Sequence, residues 1–157
     1  MSMTEIFLLG GTLALAGVSI LFARSLGPPS RAAFAFGVLV LMNGIYVGFA
    51  IADFEAKDFI ARGDIAVLVV ECLIAQGFLL AGLAVLNSPK PSRLGWLILG
   101  HGLIDVGHLL TAGPVAPDWY ALLCVVYDAI VGAALVWLLA PADRSEPSQS
   151  PAAVQRS

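Results

Sequence analysis

The sequence predicts an all-α integral membrane protein, a bundle of five transmembrane helices followed by a disordered C-terminal tail. Of its 157 residues, 59% are hydrophobic and only 12% are charged, whereas a soluble domain carries about twice that charged fraction. A single core could not hide this much apolar surface from water. The composition therefore excludes a water-soluble fold and makes the lipid bilayer the first expected partner.

Five apolar segments are long enough to span about 30 Å of hydrocarbon at about 1.5 Å per residue. They run from Ile6 to Ala23, Ala32 to Ala52, Ile65 to Leu86, Leu94 to Ala112 and Trp119 to Ala140. The first is interpreted as a helix that stays in the protein, because Glu5 and no basic residue precede it, unlike a signal peptide. Residues 1–140 thus form the predicted membrane domain. Residues 141–157, rich in Pro, Ser and charge, form the predicted disordered tail.

Basic residues in the short connections predict the orientation, because Lys and Arg concentrate on the cytoplasmic side. Six of them belong to the first loop, the third loop and the C-terminus, and two to the second loop, where four acids offset them. This asymmetry predicts a protein of the bacterial inner membrane with its N-terminus outside and its C-terminus in the cytoplasm. The net charge of −3 and the lack of a basic patch argue against a nucleic-acid partner.

The fourth segment carries three ionisable residues that share one helical face. His101, Asp105 and His108 stand at positions i, i+4 and i+7, so they fall within about 60° of arc. Each such group at mid-bilayer costs about 2.5–3.5 kcal/mol to insert, and intramembrane carboxylates face the bundle interior. Glu71 and Asp128 lie at compatible depths on the third and fifth segments. We therefore expect one polar site inside the bundle.

The leading interpretation of this site is a metal centre. Imidazole and carboxylate ligands suit Zn²⁺ or another divalent transition metal, and His101, Asp105 and His108 are the predicted ligands. Asp128 and Glu71 are the predicted catalytic residues, as a further ligand or a general base. A Zn²⁺ ion with an open position lowers the pKa of bound water to about 7. The site would then support a metal-dependent enzyme that acts on a lipid or another small apolar substrate.

Two alternatives remain open on the sequence alone. Carboxylates and imidazoles strung across a bilayer form proton paths in pumps and carriers, so the same residues could make a proton or cation relay. In the other alternative the polar side chains only lock helices together, although interhelical hydrogen bonds contribute only about 0.6 kcal/mol on average. Asn43 and Tyr46 on the second segment are expected to hydrogen-bond to the cluster.

Several short patterns suggest a family. His-Gly-x-x-Asp-x-x-His begins at His101, Asp-Trp-Tyr begins at Asp118, and Cys-x-x-Tyr-Asp begins at Cys124. With Asn-Gly-Ile-Tyr from Asn43, they resemble an uncharacterised family of small bacterial multi-pass membrane proteins. The resemblance covers the last four helices. It implies a multi-helix membrane bundle and carries no assigned reaction.

Overall fold

The described part of the chain forms a bundle of five helices. The computed structural model describes residues 3–56, 62–110 and 116–141, and these contain helices, turns and no strand. The helices are α1 (Met3–Ser25), α2 (Pro28–Ala56), α3 (Arg62–Leu86), α4 (Arg93–Leu110) and α5 (Asp118–Leu139). The all-α prediction is confirmed. Apart from Pro141, the predicted disordered tail lies outside the described residues.

Four of the five helices are long and apolar enough to cross a membrane. These spans are Met3–Ser25, Pro28–Ala52, Ile65–Leu86 and Asp118–Leu139. The predicted fourth span, Leu94 to Ala112, corresponds to α4, which is not among them. Its 18 residues include Arg93, His101, Asp105 and His108, and these polar side chains lower its mean hydropathy. The ionisable residues that the sequence analysis placed on one face of α4 thus also remove this helix from the set of apolar spans.

Consecutive helices run in opposite directions. A Cβ added at Gly82, near the end of α3, would lie 2.9 Å from the Phe36 ring near the start of α2. Likewise Gly95, near the start of α4, adjoins Gly132 and Val136 near the end of α5. The ends of α1, α3 and α5 therefore lie at the same end of the bundle as the starts of α2 and α4. This end, which carries Arg24 and Arg31, is called the basic end below.

Arg31 ties three helices together at the basic end. Its guanidinium donates hydrogen bonds of 2.8 Å to the carbonyls of Ala23, Leu26 and Leu138. The last carbonyls of a helix have no partner within the helix, so one arginine satisfies acceptors at the ends of both α1 and α5. Because α1 and α5 end together, they run parallel, and α1 packs mainly against α5.

Helices α4 and α5 pack more closely than any other pair among the described residues. A Cβ at Gly95 would lie 2.7 Å from the Gly132 carbonyl oxygen, and one at Gly132 would lie 2.9 Å from Leu99 Cγ. Neither position has room for a side chain. Small residues let membrane helices approach in this way, and this approach brings the polar face of α4 against α5.

The outer surface of the bundle is apolar. Phe7 and Leu21 on α1 and Leu73 on α3 are largely exposed, whereas Leu39, Ile98 and Leu135 are fully buried between helices. Helices that are apolar on both their inner and outer faces are typical of membrane spans. The exposed apolar residues indicate contact with membrane lipid.

Candidate functional site

The polar face of α4 is buried at the junction with α5. His101 is 2% exposed, and Asp105 on α4 and Asp128 on α5 are 0% exposed. A Cβ at Gly102 would lie 2.9 Å from Asp128 Cβ. The absence of a side chain at this glycine lets the α5 carboxylate lie directly beside His101, the residue that precedes it. The three side chains are called the buried triad.

Both carboxylates of the triad lie close to the same imidazole nitrogen. His101 Nδ1 lies 2.9 Å from Asp128 Oδ2 and 3.4 Å from Asp105 Oδ2. The shorter distance is a hydrogen bond between α4 and α5. A single N–H group donates to one acceptor well, so the imidazole cannot satisfy both carboxylates at once.

Several oxygen atoms in this region are buried without a partner. They are both oxygens of Asp105, Oδ1 of Asp128 and the hydroxyl of Tyr46 on α2. The Tyr46 hydroxyl interacts electrostatically with Asp105 without meeting the geometry of a hydrogen bond. Buried polar groups in native proteins are nearly always satisfied by protein, water or ions. These oxygens could accept hydrogen bonds or bind a cation.

The separations within the triad match those of metal ligands. One ligand atom from each of His101, Asp105 and Asp128 can be chosen so that all three lie within 4.8 Å of one another. Two atoms bound to the same ion at about 2.0–2.2 Å stand roughly 3–3.5 Å apart, close to the observed distances from His101 Nδ1. This group could hold a metal ion.

His108, the third predicted ligand, lies elsewhere. Its Nε2 atom is 3.5 Å from Glu71 Oε1 on α3, and the side chains are 14% and 4% exposed. Seven residues separate His108 from His101, which is about 10 Å along a helix. Sharing a face does not bring two side chains to one ion at that distance. The predicted cluster thus consists of two groups in the structure, the triad and the Glu71–His108 pair. The group that could hold a metal contains Asp128 in place of the predicted ligand His108.

The Tyr46 ring lies between these two groups. It is stacked on the His108 ring, with centroids 5.0 Å apart and planes 15° apart, and meets the His101 ring edge-on at 5.6 Å. The hydrogen bond expected from Asn43 is not formed, because its amide donates to the Leu39 carbonyl of its own helix. The Tyr46 hydroxyl does interact with Asp105 of the cluster, although this contact falls short of hydrogen-bond geometry.

Aromatic side chains close the region and were not among the predicted site residues. Phe78 on α3 meets the His101 ring at 5.6 Å, and Tyr120 on α5 meets the Tyr46 ring at 5.8 Å. Cys124, a buried free thiol, belongs to the same cluster as Tyr46. The sequence signal for Tyr120 was its place one turn before Cys124 and two turns before Asp128 on α5. Together these groups exclude water and lower the local dielectric, which strengthens every charge interaction inside.

Neither family models, nor curated proteins, nor solved structures give a match to this chain. The resemblance to small bacterial membrane proteins therefore stays a prediction. The site has to be interpreted from its own geometry, in which an excess of buried carboxylate oxygen surrounds one imidazole.

Proposed function

We propose that this chain is a multi-pass membrane protein whose buried triad binds a divalent metal ion, and that the bound ion serves chemistry on a lipid or another small apolar substrate. His101, Asp105 and Asp128 are the ligands in this proposal. Glu71, which interacts electrostatically with His101 and Asp105, is the general base. Asp128 takes the ligand role and so leaves the base role to Glu71.

The observation that most strongly supports metal binding is the set of unsatisfied carboxylate oxygens. Three carboxylate oxygens of the triad are buried without a hydrogen-bond partner. A buried anion without compensation costs several kcal/mol, and burial is normally balanced by a counter-charge, a proton or a metal. A divalent cation would neutralise both carboxylates at once. The helix-locking alternative uses the His101–Asp128 hydrogen bond and the contacts of Asp105 with His101 and Tyr46, but it leaves these three carboxylate oxygens without a donor.

The ligand set favours a moderately hard ion. Carboxylates suit Mn²⁺ and Mg²⁺, whereas imidazole suits Zn²⁺ and Fe²⁺. One imidazole with two carboxylates contains more oxygen than the set of two imidazoles and one carboxylate predicted from the α4 face. This shifts the expectation towards Mn²⁺ or Fe²⁺, while Zn²⁺ also accepts these ligands. An ion with an open position would polarise a substrate oxygen or acidify bound water.

The proposal includes five crossings of a bacterial inner membrane. Helix α4 is in contact with α2, α3 and α5, three helices that are apolar enough to span. Its ionisable residues face these neighbours, where insertion is least costly. The basic end lies in the cytoplasm and the N-terminus outside, in accordance with the Lys and Arg distribution.

Metal content tests this function. We expect near-stoichiometric metal in the detergent-purified full-length protein after metal-replete growth, measured by plasma mass spectrometry. Asp128→Asn should lose the metal, because an amide has a weaker oxygen donor and no charge. Glu71→Gln is the matched control, since it removes a buried carboxylate outside the triad, and it should retain the metal. A metal-free wild-type protein would contradict the proposal.

A proton relay is the second candidate, and the position of Tyr46 favours it. The Tyr46 ring contacts both histidines, and each histidine faces a carboxylate. These five residues form a continuous series of contacts beside about 10 Å of α4. Proton flux into liposomes that stops in both Asp128→Asn and Glu71→Gln would support the relay. If the protein shows neither bound metal nor proton flux, the remaining role for the polar side chains is to hold the helices together.

A further inference from the structure

A cleft lies on the side of α5 that adjoins α1 and α2. It has a volume of about 450 Å³ and extends from Trp119, at the start of α5, to Ser19 and Tyr127. Two leucines of its lining, Leu15 on α1 and Leu41 on α2, are largely exposed. Helix α1 packs on α5 and touches α2 only lightly. The cleft therefore opens between α1 and α2 towards the outer surface of the bundle.

The lining of the cleft is apolar although it contains hydroxyl groups. At its deep end, the Ser19 and Tyr127 hydroxyls are 2.8 Å apart and hydrogen-bond to each other. One hydroxyl donates to the other, so this polar pair is partly satisfied within the protein. The remaining lining is dominated by aliphatic and aromatic side chains, such as Phe34, Val38 and Leu123. A polar solute would lose its hydration here and gain few hydrogen bonds in return.

The cleft has the size of a small-ligand site. Its α1 wall extends from Thr12 to Ser19, which is about 10 Å at 1.5 Å per residue. Its volume of about 450 Å³ lies within the usual range of such sites, about 300–1,000 Å³. A thin, flexible hydrocarbon chain suits an apolar cleft of this length and volume.

We propose that this cleft binds one hydrocarbon chain of a membrane lipid, which enters between α1 and α2 from the bilayer. Trp119 at the start of α5 marks the membrane interface, where tryptophan is enriched, so the lipid head group lies at that level and the chain extends to the Ser19–Tyr127 floor. The inference rests on the proposed placement of α1, α2 and α5 in a bilayer and does not need the metal.

The chain would lie against the wall of the polar site. Tyr120 and Cys124 line the cleft and also pack with Tyr46. Only this layer of side chains separates the cleft from the side chain that contacts both histidines. The position of the cleft thus gives the proposed substrate class a specific place in the fold.

Photochemical labelling tests the inference. Full-length protein is reconstituted in phosphatidylcholine vesicles that contain a trace of phosphatidylcholine with a diazirine on one acyl chain. After illumination, peptide mass spectrometry locates the labels. We expect labelling to concentrate on Leu41 and Leu123 above the level at Leu80, an exposed residue of α3. Labelling that is equal at Leu80 and at the cleft would overturn the proposal.

Variants separate a bound chain from the surrounding lipid. Val38→Trp fills the cleft from α2, and labelling of Leu41 and Leu123 should fall to the level at Leu80. Val40→Trp, two residues away on a partly exposed position outside the lining, should leave labelling unchanged. Leu123→Trp fills the cleft from α5 and serves if Val38→Trp does not fold. Unchanged labelling in a folded cleft-filling variant would overturn the inference.

The same preparation distinguishes this inference from the proposed function. Metal content is measured on each vesicle sample. Uniform labelling in a metal-loaded protein contradicts the chain site alone, and concentrated labelling in a metal-free protein contradicts the metal centre alone. Labelling of the cleft that falls as the protein-to-lipid ratio rises would identify a second copy of this chain as the occupant, and would overturn the lipid proposal.

Discussion

The two histidines of α4 each contact a carboxylate, yet their surroundings differ in burial and in the number of carboxylates. His101 lies against two fully buried carboxylates, one of them across the glycine-packed contact with α5. His108 faces one carboxylate across the looser contact with α3, and its side chain is 14% exposed. The triad has two carboxylates to one imidazole, whereas the Glu71–His108 contact has one of each. We infer that the ratio of carboxylate to imidazole, more than residue type, identifies the centre suited to a cation.

Removal of each imidazole should give the largest contrast between the two groups. His101→Ala leaves Asp105 and Asp128 buried together without their nitrogen partner, and breaking such a buried pair costs about 3–5 kcal/mol. His108→Ala removes the nitrogen partner of one buried carboxylate, that of Glu71, instead of two, and should therefore lower the free energy of unfolding by less than His101→Ala does. Denaturation by sodium dodecyl sulfate of the protein in mixed micelles measures both values. Equal losses would remove the distinction between the groups.

Metal removal should destabilise only proteins with an intact triad. A ligand at 100 times its dissociation constant stabilises the folded state by about 2.7 kcal/mol. A chelator should therefore lower the melting temperature of the wild type and of Glu71→Gln. It should have no effect on Asp128→Asn, which lacks a ligand. Thermal unfolding followed by intrinsic fluorescence measures the three responses, and a chelator effect on Asp128→Asn would place the ion outside the triad.

Two neighbouring glycines test how far the triad depends on the close contact between α4 and α5. A methyl group at Gly102 would clash with Asp128, whereas one at Gly100 meets nothing within 4 Å. Gly102→Ala should lose about 1–3 kcal/mol, as overpacked sites do, and should also weaken metal binding. Gly100→Ala should be neutral or slightly stabilising, because alanine favours the helix by up to about 1 kcal/mol. Both are measured by unfolding in micelles, and similar outcomes for the two variants would contradict the assigned contact.

Tyr46→Phe should have the smallest effect on stability. The ring contacts with His101 and His108 are kept, and the hydroxyl that is removed is buried and forms no hydrogen bond of good geometry. Deleting an unsatisfied group is close to neutral or stabilising, so we expect a change below about 1 kcal/mol in the free energy of unfolding. A larger loss would show that the hydroxyl is engaged by a bound water or ion.

The sequence predicted the helices better than it predicted the site. Helical hydropathy is a local property, and all five apolar segments correspond to helices of the structure. Shared depth on different helices also brought Asp128 and Glu71 into the candidate set. The helical period of α4 placed His101, Asp105 and His108 on one face. Residues on the same face can nevertheless lie about 10 Å apart along the helix axis. The partner of each histidine depends on which neighbouring helix lies beside it.

Contacts between helices were the part that the sequence could not supply. That Asp128 rather than His108 completes the triad follows from the approach of α5 at Gly102. That Tyr46 separates the two histidines follows from the rotation of α2. Neither rotation nor approach is encoded in hydropathy. The low hydropathy of α4, which excludes it from the plain apolar spans, comes from the same polar residues that form the site.

The most direct test of the central claim is X-ray absorption spectroscopy at the edge of whichever metal copurifies with the protein. We predict a first shell dominated by oxygen with one imidazole, unchanged in His108→Ala and lost with the metal in Asp128→Asn. A first shell with two imidazoles, or a spectrum altered by His108→Ala, would contradict the triad and return the centre to the full polar face of α4.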